Sequence, residues 1–178
     1  LYHLLQNGEK VRAIHRAQSK FDLLERVFKF YGVSKDDFET QIEWVKADLN
    51  DIYTLQQCFE GIEDIYHVAG KVSFLPGDRQ ALTEVNIKGT ANLVNLALEL
   101  PVRKFCYVSS IAAIGRNDLS TVIDEKVVWK SSKRNSNYAV SKYGGEREIG
   151  RAIEEGLNAV IVNPGIVLGP GEISSGSA

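Results

Sequence analysis

The sequence predicts an α/β fold, a doubly wound parallel sheet with helices on both faces. Three observations carry that expectation. Short β-branched runs alternate with stretches of helical periodicity along the chain. Several of those runs are close to continuously apolar, as strands buried on both faces are. Glycines stand where helical stretches end, at Gly8, Gly32 and Gly61.

"LYHLLQNGEK" reads as a helix tail, with Leu1, Leu4 and Leu5 on one side and Gly8 as the residue that ends it. "VRAIH" (Val11–His15) is a β-branched strand. "FDLLERVFKFYG" spaces Phe21, Leu24, Val27, Phe28 and Tyr31 as a helix does and ends on Gly32. "IEWVKAD" (Ile42–Asp48) is a strand, and "DIYTLQQCFEG" a helix capped by Asn50 or Asp51. "IEDIYHVAG" is strand-like, and Leu82–Leu100 forms a long helix. "VRKFCYVSS" is a strand, Tyr138–Glu155 a helix, and "LNAVIVNPG" a last strand. The stretch Arg116–Ser136 is longer than an ordinary connection and is expected to be functional or mobile.

A chain of 178 residues suffices for one core, and 44% hydrophobic with 25% charged residues is ordinary globular composition. A net charge of −2 offers no basic footprint for nucleic acid. Cys58 and Cys106 lie far apart in apolar stretches, which reads as two buried thiols in a reducing compartment and not as a metal site. No run of 18 apolar residues suggests a membrane span, so a cytoplasmic protein is expected. A helix tail at Leu1 and a polar loop at Ala178 lead us to expect a fragment of a longer protein.

In a doubly wound sheet, ligands bind beyond the carboxyl ends of the strands. The first strand runs into His15, Arg16, Ser19 and Lys20 with no carboxylate. If a dinucleotide binds, Arg16 suits the 2′-phosphate of NADP, whereas NAD would call for an acidic residue there. After the second strand, Asp48 could accept from an adenine amino group while Leu49 packs on the ring; Asp48 could equally cap the next helix. After the third come Ala69, Gly70 and Lys71, small enough at 69 and 70 for a cofactor to approach the backbone. His67 reads as a satisfied histidine at the edge of the core. After the fourth come Ser109 and Ser110, either of which could hold a substrate oxygen. Pro164 ends the fifth, before the turn Gly169–Pro170–Gly171.

Read together, "DL" at 48–49, "HVAG" at 67–70, "VNIKGTANLVNLAL" with Asn86, "YVSSIAAIG" at 107–115, "YAVSK" at 138–142 and "NPGIVLGPG" at 163–171 follow one order. In that order and spacing the chain resembles the extended branch of the short-chain dehydrogenase/reductase superfamily. The resemblance implies a Rossmann-like domain over 1–178, with a substrate lobe after it and the family's first strand and Gly-rich phosphate turn before Leu1. It also implies a catalytic group of Ser110, Tyr138 and Lys142. Ser110 is chosen over Ser109 because it lies five residues before Gly115, as the family places its hydroxyl. Asn86 supports the site. Cofactor contacts are implied at Arg16, Asp48, Leu49, Ala69, Gly70, Lys71, Tyr138, Lys142 and Pro164. Asn163 departs from the family, many members having Arg or another residue before that proline.

Tyr138 and Lys142 are i and i+4 on one helix face. A free phenol has a pKa of about 10, and a cation nearby favours phenolate, so the pair can move a proton to or from a carbonyl oxygen. The expectation is an NADP(H)-dependent oxidoreductase interconverting a carbonyl and a secondary alcohol, nearest in look to the dihydroflavonol reductase and 3β-hydroxysteroid dehydrogenase branch. The alternatives are a nucleotide-sugar epimerase or dehydratase that retains NAD, and a non-catalytic dinucleotide sensor. Family members also imply a homodimer through helices 82–100 and 138–155, with a small-molecule substrate and no metal.

Overall fold

Every strand predicted from the sequence forms, and all of them pair in parallel. The computed structural model describes residues 1–19, 21–115 and 123–167. Lys20, most of the front of the Arg116–Ser136 stretch and the Gly169–Pro170–Gly171 turn lie outside the described residues. The described residues gather into two units, 1–60 and 61–167.

In residues 1–60, helix α1 (Tyr2–Gln6) ends as its sequence predicts. Gly8 takes a φ of +77°, a left-handed conformation that glycine adopts without strain, and donates to Leu5 O at 2.9 Å. Strands β1 (Val11–His15) and β2 (Ile42–Lys46) pair from Val11↔Ile42 to His15↔Lys46. Helix α2 (Asp22–Phe30) lays Phe28 against Val11 and Ile42, with Leu24 and Trp44 packed around them. The sequence did not announce helix α3 (Lys35–Gln41), because only Phe38 offers an apolar side chain and no stripe exists. What starts it is a cap: Ser34 Oγ accepts from Asp37 N at 3.1 Å. Helix α4 (Ile52–Gln57) is capped by Asp51, which accepts from Tyr53 N and Thr54 N, so Asp51 and not Asn50 is its start.

In residues 61–167, strands β3 (Asp64–His67), β4 (Lys104–Val108) and β5 (Ala159–Val162) lie in the order β3-β4-β5. The register runs Asp64↔Lys104 and Phe105↔Ala159. The five strands thus make a two-stranded and a three-stranded parallel sheet, where one sheet was expected. The long helix begins at Arg79 and not Leu82, and it is interrupted. Helix α5 (Arg79–Thr83) passes into one wide turn at Glu84–Lys88 and then into α6 (Gly89–Glu99). Gly89 N donates to Glu84 O, five residues back, which is the π-type bond. Helix α7 (Asn137–Glu154) starts one residue before Tyr138 because Ser136 Oγ accepts from Ala139 N at 3.1 Å.

The core of this unit is built on β4, whose Phe105 and Tyr107 are both 0% exposed. Leu82, Leu93, Val94 and Ala97 of the long helix are buried as well, as are Ile149 and Ala152 of α7. Close approach of the helices depends on Gly144 and Gly145. A methyl added at Gly145 would lie 2.7 Å from Asn86 O and against the Tyr107 hydroxyl; at Gly144 it would meet the Ile87 side chain. The described part of the long connection is held to α7 by Trp129, stacked on Tyr143 at 4.3 Å with 7° between planes. Of the cysteines, Cys58 is buried but Cys106 only half so, since it points to the face of β4 opposite Phe105 and Tyr107. No helix among the described residues is long and apolar enough to cross a membrane.

Candidate active site

Asn86, in the wide turn, ties the loop after β3 to the first turns of α7, and separate bonds of Lys142 and Asn163 tie the ends of β4 and β5 to the same helix. Asn86 Oδ1 accepts from Lys71 N at 2.7 Å, and its Nδ2 donates to Lys71 O and to Ser141 Oγ, both at 2.9 Å. Ser141 Oγ in turn donates to Tyr138 O at 2.8 Å. Asn86 therefore fixes the loop after β3 and the start of α7 with every polar atom of its side chain, and it is 1% exposed.

The main chain of Asn86 carries the network inward. Thr90 Oγ1 donates its single proton to Asn86 O at 2.8 Å, so toward His67 Nε2, 2.9 Å away, it can only accept. That places a proton on His67 Nε2. Burial, and then the charge of Lys142, push the His67 pKa down to about 3. His67 is a bonded core histidine.

Lys142 is not a solvated surface lysine: it is 4% exposed. Its Nζ donates to Val108 O at 3.0 Å and sits 4.4 Å from the centre of the Tyr107 ring. A side chain on Gly70 would come within 3.8 Å of that Nζ and 3.4 Å of Asn86 Oδ1. Burial lowers the ammonium pKa to about 8, with the Glu146 carboxylate pulling the other way. Burial also raises the Tyr107 phenol well above its ordinary value.

Tyr138 lies half-buried, one turn before Lys142, its ring edge-on to Phe74 at 5.7 Å. Asn137 Nδ2 reaches Pro76 O at 3.5 Å, so the segment after β3 runs across the start of α7 and borders both Tyr138 and Lys142. Ser110 is half-exposed and extended, with φ −163°, and its Oγ accepts from Ala112 N at 3.2 Å. Ser109 is the buried one of the two, its Oγ without a partner among the described residues. Ser110 is joined to Lys142 through the backbone, since Nζ holds the carbonyl two residues before it, and the turn Ile111–Ala113 packs on α7. Pro164 O accepts from Ile111 N at 3.1 Å, which brings the end of β5 beside Ser110.

Arg16, Asp48 and Leu49 belong to residues 1–60. Arg16 is exposed, with its backbone N–H on Ser19 Oγ at 3.0 Å and no ion pair among the described residues. His15 is less solvated than its basic turn suggested, packing edge-on to Phe21 at 5.4 Å. Asp48 does not cap α4; its Oδ1 accepts from Asn50 N at 2.9 Å and closes a turn. Sequence reasoning missed Ser141, Thr90 and Glu146. Two had a signal: Ser141 lies inside the "YAVSK" motif, and Thr90 stands one helical turn after Asn86.

Parallel strands whose carboxyl ends carry the polar groups, covered by helices, define the class: Rossmann-like α/β proteins. The chain belongs to the NAD-binding family described as "Male sterility protein", whose model matches residues 1–178. It is similar to a protein of Synechocystis sp. provisionally named dihydroflavonol 4-reductase, with 36% identity over 171 residues, 96% of this chain and 46% of that one. The crystal structure of gox2253 superposes with a TM-score of 0.74 at 31% identity, over 92% of this chain and 46% of that one. UDP-glucuronic acid 4-epimerase from Bacillus cereus, in complex with NAD, shares the fold at a TM-score of 0.74 and 20% identity, over 92% of this chain and 50% of that one. The resemblance read from the motifs therefore holds at the level of family and fold. The chain spans about half the length of the curated relatives it matches most fully.

Proposed function

We propose that the chain is the cofactor-binding part of an NADP(H)-dependent oxidoreductase that interconverts a carbonyl and a secondary alcohol. The observation that carries this reading is Lys142. A buried ammonium one turn after an accessible tyrosine, held at the carboxyl end of β4 two residues from Ser110, has no use in a surface helix. The residues present also fit a dinucleotide. Gly70 leaves room beside Asn86 and Lys142, and Arg16 is a cation without an ion-pair partner among the described residues. Asp48, Leu49, Ala69, Lys71 and Pro164 complete the set of contacts the family resemblance assigns to the cofactor.

A bound nicotinamide supplies or accepts the hydride. The protein's own part is the proton. Ser110 Oγ holds the carbonyl oxygen, and Tyr138 hands its phenolic proton to that oxygen in reduction or takes it back in oxidation. Lys142 places its ammonium one helical turn after that tyrosine, on the same helix. Asn86 and Ser141 hold the backbone of Tyr138 so that the hydroxyl keeps its place.

The test is NADPH consumption by the full-length protein with a panel of ketones and aldehydes. Tyr138→Phe is expected to lower turnover about a hundredfold or more. Turnover within about twofold of wild type would overturn the proton-transfer role. Conversion of a nucleotide sugar without net consumption of cofactor would assign the same residues to an epimerase or dehydratase instead.

A further inference from the structure

Asn163 bridges two parts of the site. Its Nδ2 donates to Ser110 O at 3.1 Å and to Glu146 Oε1 at 2.5 Å. A carbonyl and a carboxylate can only accept, so the orientation of the amide is fixed by its partners. Both bonds are part-buried, and they join three elements: the end of β5, the loop after β4 and the middle of α7. Glu146 stands one helical turn beyond Lys142 on the same helix.

We propose that Asn163 and Glu146 form a positioning clamp, which ties the Ser110 loop to α7 and holds the Glu146 carboxylate one helical turn beyond the Lys142 ammonium. The proposal rests on the proposed reading of the site but is tested without turnover. Neither residue touches the reacting atoms; both act through Ser110 and Lys142. The groups that face Lys142 are few. Tyr138 and Glu146 come from α7, neutral His67 from β3 and the Tyr107 ring from β4, while Lys71 nearby is paired with Asp78 at 3.4 Å. Glu146 is therefore the one carboxylate among these groups that is left to support the ammonium. Burial drags Lys142 down to about 8, and Glu146 opposes that fall. Glu146→Gln leaves an acceptor for Asn163 and removes only the charge.

The measurement is an NMR titration of the full-length protein labelled with 13C-lysine, the Lys142 signal being identified by its loss in Lys142→Gln. Glu146→Gln is expected to lower the Lys142 midpoint by about half a unit or more, and Glu146→Asp to restore most of it. Asn163→Ala keeps every charge in place but frees the carboxylate; it is expected to lower the midpoint partway. An unchanged midpoint in either Glu146→Gln or Asn163→Ala would overturn the clamp. If the oxidoreductase reading fails while these shifts are seen, the clamp stands as an electrostatic device of the fold. If Tyr138→Phe abolishes turnover while Lys142 does not shift, the reading stands and the clamp falls.

Discussion

Acid should unfold this protein partly through one imidazole. His67 is 3% exposed and gives its Nε2 proton to Thr90, beside the charged Lys142. Its folded pKa is depressed from 6.5 to about 3. Between those values the unfolded chain binds a proton that the native chain refuses, so stability is full above about pH 6.5 and falls as pH drops towards 3. Each unit corresponds to about 1.4 kcal/mol, so at about pH 4 this one group should have cost about 3 kcal/mol. That is a large share of the 5–15 kcal/mol typical of a folded domain, on the order quoted for natural proteins. His67→Gln retains a donor for Thr90 and cannot titrate. Urea unfolding of wild type and variant at several pH values from about 7 to 4 isolates the term, because all other carboxylates and histidines are common to both. The variant's stability should fall less steeply, the two curves diverging by roughly 3 kcal/mol at the acid end. Parallel curves would refute the neutral, Nε2-protonated histidine and the network drawn from it.

Gly145→Ala should destabilise by about 1–3 kcal/mol in the same unfolding assay, because the new methyl meets Asn86 O, a main-chain atom that cannot turn aside. Gly144→Ala should cost clearly less, since Ile87 can rotate and alanine gains about 1 kcal/mol of helix propensity; the opposite order would discredit the packing described. Arg16→Asp should weaken NADPH binding about tenfold or more while leaving NADH nearly unchanged, read by fluorescence titration of the full-length protein. Equal losses for both cofactors would refute a 2′-phosphate role for Arg16.

How far the sequence could be read depended on the kind of signal. The strands were legible because β-branched runs such as "VRAIH" and "NAVIV" are local, and Gly8 and Gly32 marked helix ends through their positive φ, whereas α4 ends at Gln57, ahead of the expected Gly61. Helix α3 was not, since Ser34–Asp37 capping starts it without any apolar stripe. The wide turn at Glu84–Lys88 left no trace either: "EVNIK" is as good an ordinary helix as a π turn, and tertiary contacts to Asn86 and Thr90 decide. For the site, motif spacing named Ser110, Asn86, Tyr138 and Lys142, and the structure ties them through backbone and amide bonds. Burial of the Lys142 ammonium under Tyr107 could not be read, because a lysine in a helix is usually solvated and only the fold brings β4 to it. Asn163 looked incidental in the sequence, since its partners lie 17 and 53 positions away.

The one loose coil between Glu84 and Lys88 also lets this rod carry an extra residue where Asn86 stands. A π turn accommodates one residue more than a regular coil of helix would. Trimming a single amino acid there would let the rod tighten to its usual pitch with little rotation downstream, since five residues of a π turn advance the chain about as far around the axis as four of an α-helix. Leu93, Val94 and Ala97 would stay buried, whereas the Asn86 carbonyl would lose its place beside Thr90 Oγ1 and the bare Gly145 backbone. The extra residue thus serves the polar side of the rod and leaves its packed side unchanged.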